Sequence, residues 1–263
     1  MDLCTVVSEK FIPQALNLIK SYQINSFDNK VFLYYFNTEK EKLKIFEETF
    51  PDKVILREVP NLFGHCLDPK VFFYKVYAIN DCLINNSKSV IYSDSSNCFV
   101  RKTETLEQDL IDDSLFMMYQ HPALSNQYWT TNKCFEKMES EPSRNSPQYW
   151  AGFQAYKRSE QNINFVTELY EYMKDPEIAL PDMMLKRPDG SDAKCVEHRC
   201  DQSVLSILID KHDRHHFYDM NKNDKYGDWQ TIVHFDKSFV PNFKKTVLSP
   251  RESKYGNFRY LNL

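Results

Sequence analysis

Short apolar runs alternate with segments of helical periodicity over the first hundred residues. The runs are rich in β-branched and aromatic residues, which favours strands, and the segments between them place apolar residues three or four positions apart, which favours helices. We expect Thr38 with Glu41 to cap the second helix, and Asp68 with Pro69 to open the third. This alternation predicts an α/β fold with a mostly parallel sheet and helices on both faces. The predicted strands are DLCTVVSE, KVFLYYFN, KVILREV and the start of SVIYSDSSNCFV, and the predicted helices are IPQALNLIKSYQ, TEKEKLKIFEETF and DPKVFFYKVYAINDCLINN.

The second half of the chain is less regular. Its apolar patterns predict three strands and two helices without an internal repeat or a low-complexity linker, so we interpret the chain as a single domain. Two polar segments with prolines and little periodicity, residues 123–148 and 175–197, are expected to be long loops, which are usually functional or mobile. The predicted strands are SLFMMYQHP, YWAGFQAYKRS and IVHF, and the predicted helices are residues 160–174 and DQSVLSILIDKHD.

Composition argues against several classes of protein. The chain has 263 residues, of which 42% are hydrophobic, enough to bury the core of one large α/β domain. Its net charge of −4 comes from charges of both signs mixed along the chain without a basic stripe, which argues against nucleic-acid binding. Its five glycines form neither a GxGxxG fingerprint nor a Walker A loop, which argues against Rossmann dehydrogenases and P-loop enzymes.

The cysteines and the apolar runs predict the compartment. Seven cysteines are scattered without a CxxC pair, and the spacing of Cys195, His198 and Cys200 fits no common zinc site, so we expect reduced thiols. Met1 leads directly into LCTVV, which is too short for a signal peptide and lacks a basic lead, and no run approaches the roughly 20 residues of a membrane span. We therefore expect a soluble, cytoplasmic protein without a transmembrane segment.

Small polar residues, Asp94 to Asn97, follow the fourth predicted strand. All are turn residues, so a simple turn is one interpretation. In parallel sheets, however, ligands bind beyond the carboxyl ends of the strands, and a carboxylate beside hydroxyl groups can hold a divalent cation or the ribose and phosphates of a nucleotide. Asp94, Ser95 and Ser96 are therefore candidate ligand-binding residues.

Four polar residues, His198, Arg199, Asp201 and Gln202, crowd the start of the last predicted helix. A helix cap needs only one of them, which favours a functional cluster over a simple cap. Gly152 lies inside an apolar strand, where it indicates either a bulge or another group that approaches the backbone closely.

These pieces, in this order, resemble GT-A-type glycosyltransferases. More narrowly, the chain is similar to glycosyltransferase-like proteins that carry a strand ending in Asp-Ser-Ser and a later HRxDQS helix start, here VIYSDSSNCF and HRCDQSVLSIL. Between them, YQHP and YWAGFQAYKRS match that family's His-Pro and Gly-Phe strands, and FFYKVYAIN matches the helix that offers a basic residue to the donor. The resemblance spans residues 2–213 and implies a single GT-A-like domain, with a nucleotide-sugar-binding half near residues 1–120 and an acceptor-binding half near residues 121–263.

The resemblance implies transfer of a sugar from a nucleotide sugar, with UDP as the expected nucleotide, to a hydroxyl group of a glycan or another acceptor. Asp201 would be the base of an inverting enzyme, whereas in a retaining enzyme Asp201 or Gln202 would lie beneath the anomeric carbon. Thr5 and Val6, at the end of the first strand, would bracket the base and ribose. The expected donor-binding residues are Thr5, Val6, Lys75, Asp94, Ser95, Ser96, Gly152 and Arg199, and the expected acceptor-binding residues are His121, Trp150, Phe153 and His198.

A leaving nucleoside diphosphate needs a metal ion or basic groups to offset its charge. Most GT-A enzymes hold Mn²⁺ with an Asp-x-Asp motif, but here Ser96 stands where the second Asp would be. A Mn²⁺ or Mg²⁺ site of Asp94, Ser96 and His234 is one expectation, although a lone histidine on a short strand is more often a core residue. Direct neutralisation by Lys75 and Arg199 is the other.

Two further functions stay open at this point. A nucleotidyltransferase also uses a strand-end carboxylate, but VVSEKFIPQ lacks the Gly-rich loop with lysine or arginine that such an enzyme needs after its first strand. A non-catalytic carbohydrate-binding module on a degenerate transferase fold would explain why the second Asp is missing.

Overall fold

Strands and helices alternate along the first half of the chain, as the hydrophobic pattern predicts. The structure is a computed structural model that describes residues 1–26, 28–99, 102–108, 110, 112–118, 124–180 and 195–214, and the backbone of four later strands. The strands, β1 to β11, are Asp2–Val7, Val31–Tyr35, Val54–Glu58, Ser89–Ser93, Asn97–Phe99, Ser114–Met118, Tyr149–Lys157, Phe217–Asp219, Ile232–His234, Val247–Leu248 and Tyr260–Leu261. The helices, α1 to α9, are Ile12–Asn25, Lys40–Thr49, Phe73–Asp81, Glu104–Gln108, Asn126–Trp129, Asn132–Lys137, Glu160–Lys174, Pro176–Ala179 and Asp201–Lys211.

Seven of these strands form one mixed sheet in the order β3-β2-β1-β4-β7-β6-β8. The first four strands in the chain pair in parallel, β7 is antiparallel to both of its neighbours, and β8 is parallel to β6. Six strands therefore point the same way, which confirms the predicted, mostly parallel sheet. The carboxyl ends of β1, β2 and β4 share one edge, where folds of this kind bind their ligands.

Two apolar cores cover the two faces of the sheet. The first core packs α3, α7 and α9 against one face, and the second packs α1 and α2 against the other. Alternate residues of β1 divide between them, because successive side chains of a strand point to opposite faces. Cys4 and Val6 enter the first core, and Leu3 and Val7 enter the second. Helices therefore lie on both faces, as predicted.

The predicted cap of α2 is wrong. α2 begins at Lys40 without a side-chain cap, because the hydroxyl of Thr38 donates to the carbonyl oxygen of Phe36 at 2.8 Å. Glu41 instead forms an ion pair with Lys44, with 2.7 Å between the carboxylate and the ammonium. Thr side chains often bond to nearby backbone groups, and Glu–Lys pairs three residues apart form readily on a helix, so both side chains have alternatives to a capping box.

The helix that carries Lys75 begins later than predicted. Asp68 and Pro69 do not open it, because the N–H of Val71 donates to the carbonyl oxygen of Asp68 and closes a turn. Phe72 then adopts a left-handed conformation with φ of 63°, and α3 starts immediately after it. Lys75 therefore lies in the first turn of α3, at the carboxyl edge of the sheet.

The segment predicted as a loop at residues 123–148 is largely helical from residue 124, where its description begins. Thr131 caps α6 by accepting a hydrogen bond from the N–H of Cys134 at 3.3 Å, and Phe135 is buried in the first core. A 3₁₀ turn, Glu141–Asn145, follows. The other predicted loop opens with α8, and its residues 181–194 lie outside the described part of the chain.

The described residues bear on two further expectations. All seven cysteines are free thiols, which agrees with the expected reduced state. Across the described ranges, no helix combines the length and the apolar character that crossing a membrane requires.

Candidate active site

Three charged side chains meet at the carboxyl edge of the sheet. The ammonium of Lys75 lies 2.9 and 3.1 Å from the two carboxylate oxygens of Asp94, and 3.6 Å from Oδ2 of Asp201. Lys75 belongs to the first turn of α3, Asp94 directly follows β4, and Asp201 is the first residue of α9. The fold thus joins two stretches that are far apart in the sequence. We call Lys75, Asp94 and Asp201 the Lys75 cluster.

The Lys75 cluster is largely withdrawn from water, with side-chain exposures of 11% for Lys75, 24% for Asp94 and 7% for Asp201. Burial raises the pKa of Asp201 to about 6, because the attraction of Lys75 offsets only part of the effect and the charge of Asp94 adds to it. Burial alone would lower the pKa of Lys75, but Asp201 and Asp94 outweigh it and raise that pKa. The cluster therefore combines a permanent positive charge with a carboxylate that titrates near neutrality.

Asp94 opens a tight turn between β4 and β5. The N–H of Asn97 donates to the carbonyl oxygen of Asp94 at 3.0 Å and closes the turn, while Ser95–Ser96 form its half-buried tip. The N–H of Asp94 donates to the carbonyl oxygen of Gly152 at 2.9 Å, which ties the turn to β7. The two interpretations of this segment, a simple turn and a ligand-binding site, are therefore compatible, because the turn holds the carboxylate of Asp94 at the edge of the sheet.

Gly152 is the point where β7 meets this turn. Its carbonyl oxygen accepts hydrogen bonds from the N–H of Asp94 and from the side-chain amide of Asn97, at 2.9 and 3.1 Å. A Cβ atom at this position would lie 2.5 Å from the indole of Trp150. The pairing of β6 with β7 also shifts register across this stretch. Both predicted reasons for a glycine, a close approach and an irregular strand, therefore apply.

The residues that lead into α9 are strained and tightly held. Cys200 has φ of 46° and ψ of −113°, a conformation that costs energy for any residue with a side chain. Nδ1 of His198 accepts from the N–H of Thr131 at 3.3 Å, and Nε2 donates to the carbonyl oxygen of Ile178 at 2.8 Å. His198 is buried, and both of its ring nitrogens bond to backbone. This position favours a structural role in holding the loop, and not the predicted contact with an acceptor.

Arg199 points its guanidinium over an aromatic ring. The guanidinium carbon lies 4.0 Å from the ring centroid of Trp129, and Nε is buried without a hydrogen-bond partner among the described residues. The backbone N–H of Arg199 donates to the hydroxyl of Ser203 at 3.0 Å. The contact of Arg199 with a nucleotide diphosphate stays a prediction.

Thr5 and Val6 lie inside β1, which ends at Val7. Thr5 is fully buried and donates its hydroxyl proton to the carbonyl oxygen of Ser93 at 2.8 Å. Val6 belongs to the first core. Thr5 thus supports Ser93, the residue that precedes Asp94. Thr5 and Val6, predicted to bracket the base and ribose at the end of the first strand, instead lie before its last residue, Val7.

Two predicted acceptor-binding residues, Trp150 and Phe153, are associated with the second core, whereas Tyr74, next to Lys75, lies in the first. Phe153 is fully buried, and Trp150 packs against the same core. Phe153 therefore offers no surface to a ligand in this structure. The remaining predicted acceptor residue, His121, lies outside the described residues.

The described residues do not by themselves form a metal site. Both carboxylate oxygens of Asp94 lie near the ammonium of Lys75, and within the described ranges no group of three or more His, Cys, Asp or Glu could hold an ion. Backbone pairing of β5 with β9 sets His234 opposite Asn97, close to the Asp94 turn, but the side chain of His234 is outside the description. The metal site of Asp94, Ser96 and His234 stays a prediction, and no chemical step below depends on it.

Two residues that hold the site were not among the predicted ones. The hydroxyl of Tyr92 donates to Oδ1 of Asp94 at 2.9 Å. Residues two apart in a strand lie on the same face, so strand alternation could have indicated this pair. Gln148 accepts a hydrogen bond from the side-chain amide of Gln202 at 2.9 Å. No local pattern identifies Gln148, because its partner lies on a helix much later in the chain.

Comparison with known proteins gives structural matches only. No family model matches the chain, and no curated protein matches its sequence, so the narrower resemblance to proteins with the HRxDQS motif stays a prediction. The galactosyltransferase LgtC, solved with donor and acceptor sugar analogs, matches with a TM-score of 0.52 and 13% identity, over 79% of this chain and 70% of that chain. Mouse xyloside xylosyltransferase 1 matches with a TM-score of 0.52 and 12% identity, over 91% of this chain and 98% of that chain.

These identities are low, and they establish the fold alone. One matched protein is named as a galactosyltransferase and the other as a xylosyltransferase, and each has a TM-score of 0.52 with this chain. The chain therefore has a GT-A-like fold, with the Lys75 cluster at its carboxyl edge.

Proposed function

We propose that the protein is a glycosyltransferase, which moves a sugar from a nucleotide sugar to a hydroxyl group of a glycan or another acceptor, with UDP as the expected nucleotide. The observation that supports this best is the Lys75 cluster, which joins a cation, a strand-end carboxylate and a helix-start carboxylate at one edge of the sheet. That edge is where folds of this kind bind nucleotides. The glycosyltransferase activity named for both matched proteins adds support.

Donor binding is assigned to Lys75, Arg199 and the Asp94 turn. The carboxylate of Asp94 is partly exposed and can accept hydrogen bonds from sugar hydroxyls, with Ser95–Ser96 and Gly152 beside it. Negative charge builds on the diphosphate as it leaves, and a cation held in a site of low dielectric stabilises that charge strongly. Lys75 supplies one such cation. Arg199, two residues before Asp201 in the sequence, is assigned as the second.

Asp201 is assigned as the base of an inverting reaction. A general base is most effective when its pKa lies close to the working pH, and burial gives Asp201 a pKa of about 6. Above that pH its carboxylate would take the proton of the acceptor hydroxyl while the oxygen attacks the anomeric carbon. The bond from that carbon to the diphosphate breaks, and its electron pair leaves with the diphosphate. In a retaining reaction, Asp201 or Gln202 would instead lie beneath the anomeric carbon.

The test is incubation of the purified protein with a panel of nucleotide sugars, with EDTA or with added Mn²⁺, followed by measurement of released nucleoside diphosphate. We expect release from one donor, which Asp201→Asn abolishes. Equal rates in EDTA and in Mn²⁺ would assign charge neutralisation to Lys75 and Arg199.

The same assay separates the alternatives. Release of pyrophosphate from a nucleoside triphosphate would replace the proposal with a nucleotidyltransferase. Binding of a glycan without turnover of any donor would replace it with a carbohydrate-binding module.

A further inference from the structure

A chain of three buried side-chain amides links Gln202 to the backbone ahead of β7. Nε2 of Gln202 donates to Oε1 of Gln148 at 2.9 Å, and Nε2 of Gln148 donates to Oδ1 of Asn126 at 2.7 Å. Nδ2 of Asn126 donates in turn to the carbonyl oxygen of Ser143 at 2.9 Å. We call Gln202, Gln148 and Asn126 the amide chain.

The carbonyl at its end sets the direction of every amide. Because the carbonyl oxygen of Ser143 can only accept, Asn126 must turn its NH₂ group toward it and its oxygen toward Gln148. Gln148 must then present its NH₂ group to Asn126 and its oxygen to Gln202. Turning any one amide around would bring two oxygens or two NH₂ groups together, which is costly in a buried site.

The amide chain is buried, and backbone hydrogen bonds anchor two of its residues. Gln148 and Asn126 have 0% exposure, and Gln202 has 8%. The backbone N–H of Gln148 donates to the carbonyl oxygen of Leu124, and that of Asn126 to the carbonyl oxygen of Ser146, both at 2.9 Å. Neither amide can therefore rotate without breaking buried hydrogen bonds.

The free end of the amide chain is the oxygen of Gln202. No described residue donates a hydrogen bond to this oxygen. A fully buried oxygen without a donor would count as an unsatisfied polar atom, and this one does not, so part of it is accessible. Gln202 directly follows Asp201 at the start of α9. The amide chain therefore leaves an oxygen, and not an NH₂ group, at its free end, on the residue that follows Asp201.

We propose that Gln148 and Asn126 are positioning residues, which hold the oxygen of Gln202 toward the donor sugar. Positive charge develops at the anomeric carbon as the diphosphate leaves, and a fixed carbonyl dipole with its negative end toward that carbon stabilises it. The inference rests on the proposed sugar transfer. It gives residues 124–148, which belong to a segment predicted as a long loop, a part in orienting a group for the reaction.

The main test is a double-mutant cycle of Gln148→Met and Gln202→Ala, with kcat and the donor KM measured for each variant. Gln148→Met should lower kcat by roughly tenfold or more and leave the donor KM nearly unchanged, because misplacing one group reduces transition-state stabilisation. In the Gln202→Ala background the same change should cost nothing further, because it acts only through Gln202. An equal loss of kcat in both backgrounds would overturn the inference.

Gln148→Glu is the conservative variant. A protonated carboxyl group can accept from Gln202 and donate to Asn126, as the amide does, whereas an ionised one cannot donate. The ratio of its kcat to that of the wild type should therefore be close to one at low pH and fall as the pH rises. Asp201, beside Gln202, and Asp210, which accepts from Ser143, are the neighbouring charged groups, and both are present in the wild type and in the variant. A ratio that does not change with pH contradicts the inference.

Gln154→Met is the matched control. Gln154 is a buried glutamine of β7 whose amide bonds to the carbonyl oxygen of Ala151 and the hydroxyl of Tyr156, outside the amide chain. This variant should keep kcat within about twofold of the wild type, as expected for a site that does not couple to Gln202. A loss as large as that of Gln148→Met would point to general destabilisation and overturn the positioning role.

Failure of the inference and failure of the proposed function give different results. If the wild type turns over no nucleotide sugar, the proposed function fails. The amide chain is then tested by hydrogen exchange of the Gln202 side-chain NH₂ group in NMR spectra, which should be slow and should become fast in Gln148→Met. Fast exchange in the wild type would show that the amide chain does not hold Gln202. If the wild type is active and Gln148→Met is equally active, only the inference fails.

Discussion

Lys75 at the candidate site and Lys137 on the surface each lie between two carboxylates. In the Lys75 cluster the ammonium lies 2.9 and 3.6 Å from its two partners. Lys137 lies 2.9 Å from Asp175 and 2.6 Å from Glu177. The charges are the same, and the second carboxylate lies closer to the ammonium in the surface cluster.

The pKa values of Asp175 and Glu177 shift in the opposite direction from that of Asp201. The hydrogen bond from Lys137 lowers the pKa of Glu177. Burial acts to raise the pKa of Asp175, but hydrogen bonds from Lys137 and from the backbone of Glu177 prevail and lower it. Burial raises the pKa of Asp201 to about 6. The difference is access to water, since Glu177 is 48% exposed and Asp201 is 7% exposed.

The comparison shows that burial, and not the number of opposite charges, distinguishes the candidate site. Exposed ion pairs are screened by water and salt and contribute little to stability. In the Lys75 cluster, the low dielectric that raises the pKa of Asp201 also strengthens the field of Lys75 on any ligand that enters. Matched changes in the buried and the exposed cluster should therefore differ in their effects.

The largest effect is expected from Asp201→Asn. An asparagine cannot accept the proton of the acceptor hydroxyl, so sugar transfer should fall by at least about 100-fold. Donor affinity, measured by calorimetry, should be retained, whereas Asp94→Ala should weaken it because Asp94 is assigned to the donor. The surface change Glu177→Gln should leave both quantities unchanged. Wild-type turnover in Asp201→Asn would remove Asp201 from the mechanism.

A large loss of stability is expected from Lys75→Met. Removing the cation leaves two carboxylates without their partner, and breaking a buried ion pair in this way costs about 3 kcal/mol of unfolding free energy. The folded-state pKa of Asp201 lies above its unfolded value, so the stability linked to its protonation is present at low pH and is lost as the pH rises through about 6. Lys75→Met raises this pKa further, so the loss should be larger at pH 8 than at pH 5.

Lys137→Met is the control for that measurement. Its ammonium also bridges two carboxylates, but in water, so chemical denaturation should find little change at either pH. If the two variants lose equal stability, burial does not distinguish the clusters, and the comparison fails.

Much of the fold could be predicted because burial leaves a local pattern. The helix predicted at residues 160–174 is α7, and the apolar run from Val90 to Tyr92 is the buried part of β4. The position of Asp94 at a strand end follows from that run and from the general rule for parallel sheets. Side chains that alternate every two residues or recur every three or four report the faces they bury, and this needs no knowledge of distant contacts.

The geometry of the site could not be predicted in the same way, because it depends on contacts between distant residues. Phe72 and Cys200 have positive φ angles, 63° and 46°, directly before the helices that carry Lys75 and Asp201. Neither is a glycine or an asparagine, so local sequence does not signal these turns. Gln148 likewise gains its role only through a bond to Gln202.

The pH dependence of transfer should show which charges act on Asp201. The rate should rise with pH through about 6 and then level off, because Asp201 acts as a base only when ionised. Asp94→Asn removes a negative charge that raises the pKa of Asp201, so the rise should move to lower pH by about one unit. Glu177→Gln should not move it. An unchanged profile in Asp94→Asn would show that the two carboxylates do not interact.

The smallest effect is expected from Gly152→Ala. The added Cβ would lie 2.5 Å from the indole of Trp150, which must move, and overpacking of this kind costs about 1 kcal/mol at a site where a side chain can shift. Because the carbonyl of Gly152 anchors the Asp94 turn, donor affinity should weaken together with the midpoint of denaturation. Gly64→Ala is the matched control, since a Cβ there meets nothing within 4 Å, and it should change neither quantity. If Gly152→Ala lowers stability and leaves donor affinity intact, the hydrogen bonds to the Gly152 carbonyl serve the fold alone, and donor binding by the Asp94 turn does not depend on them.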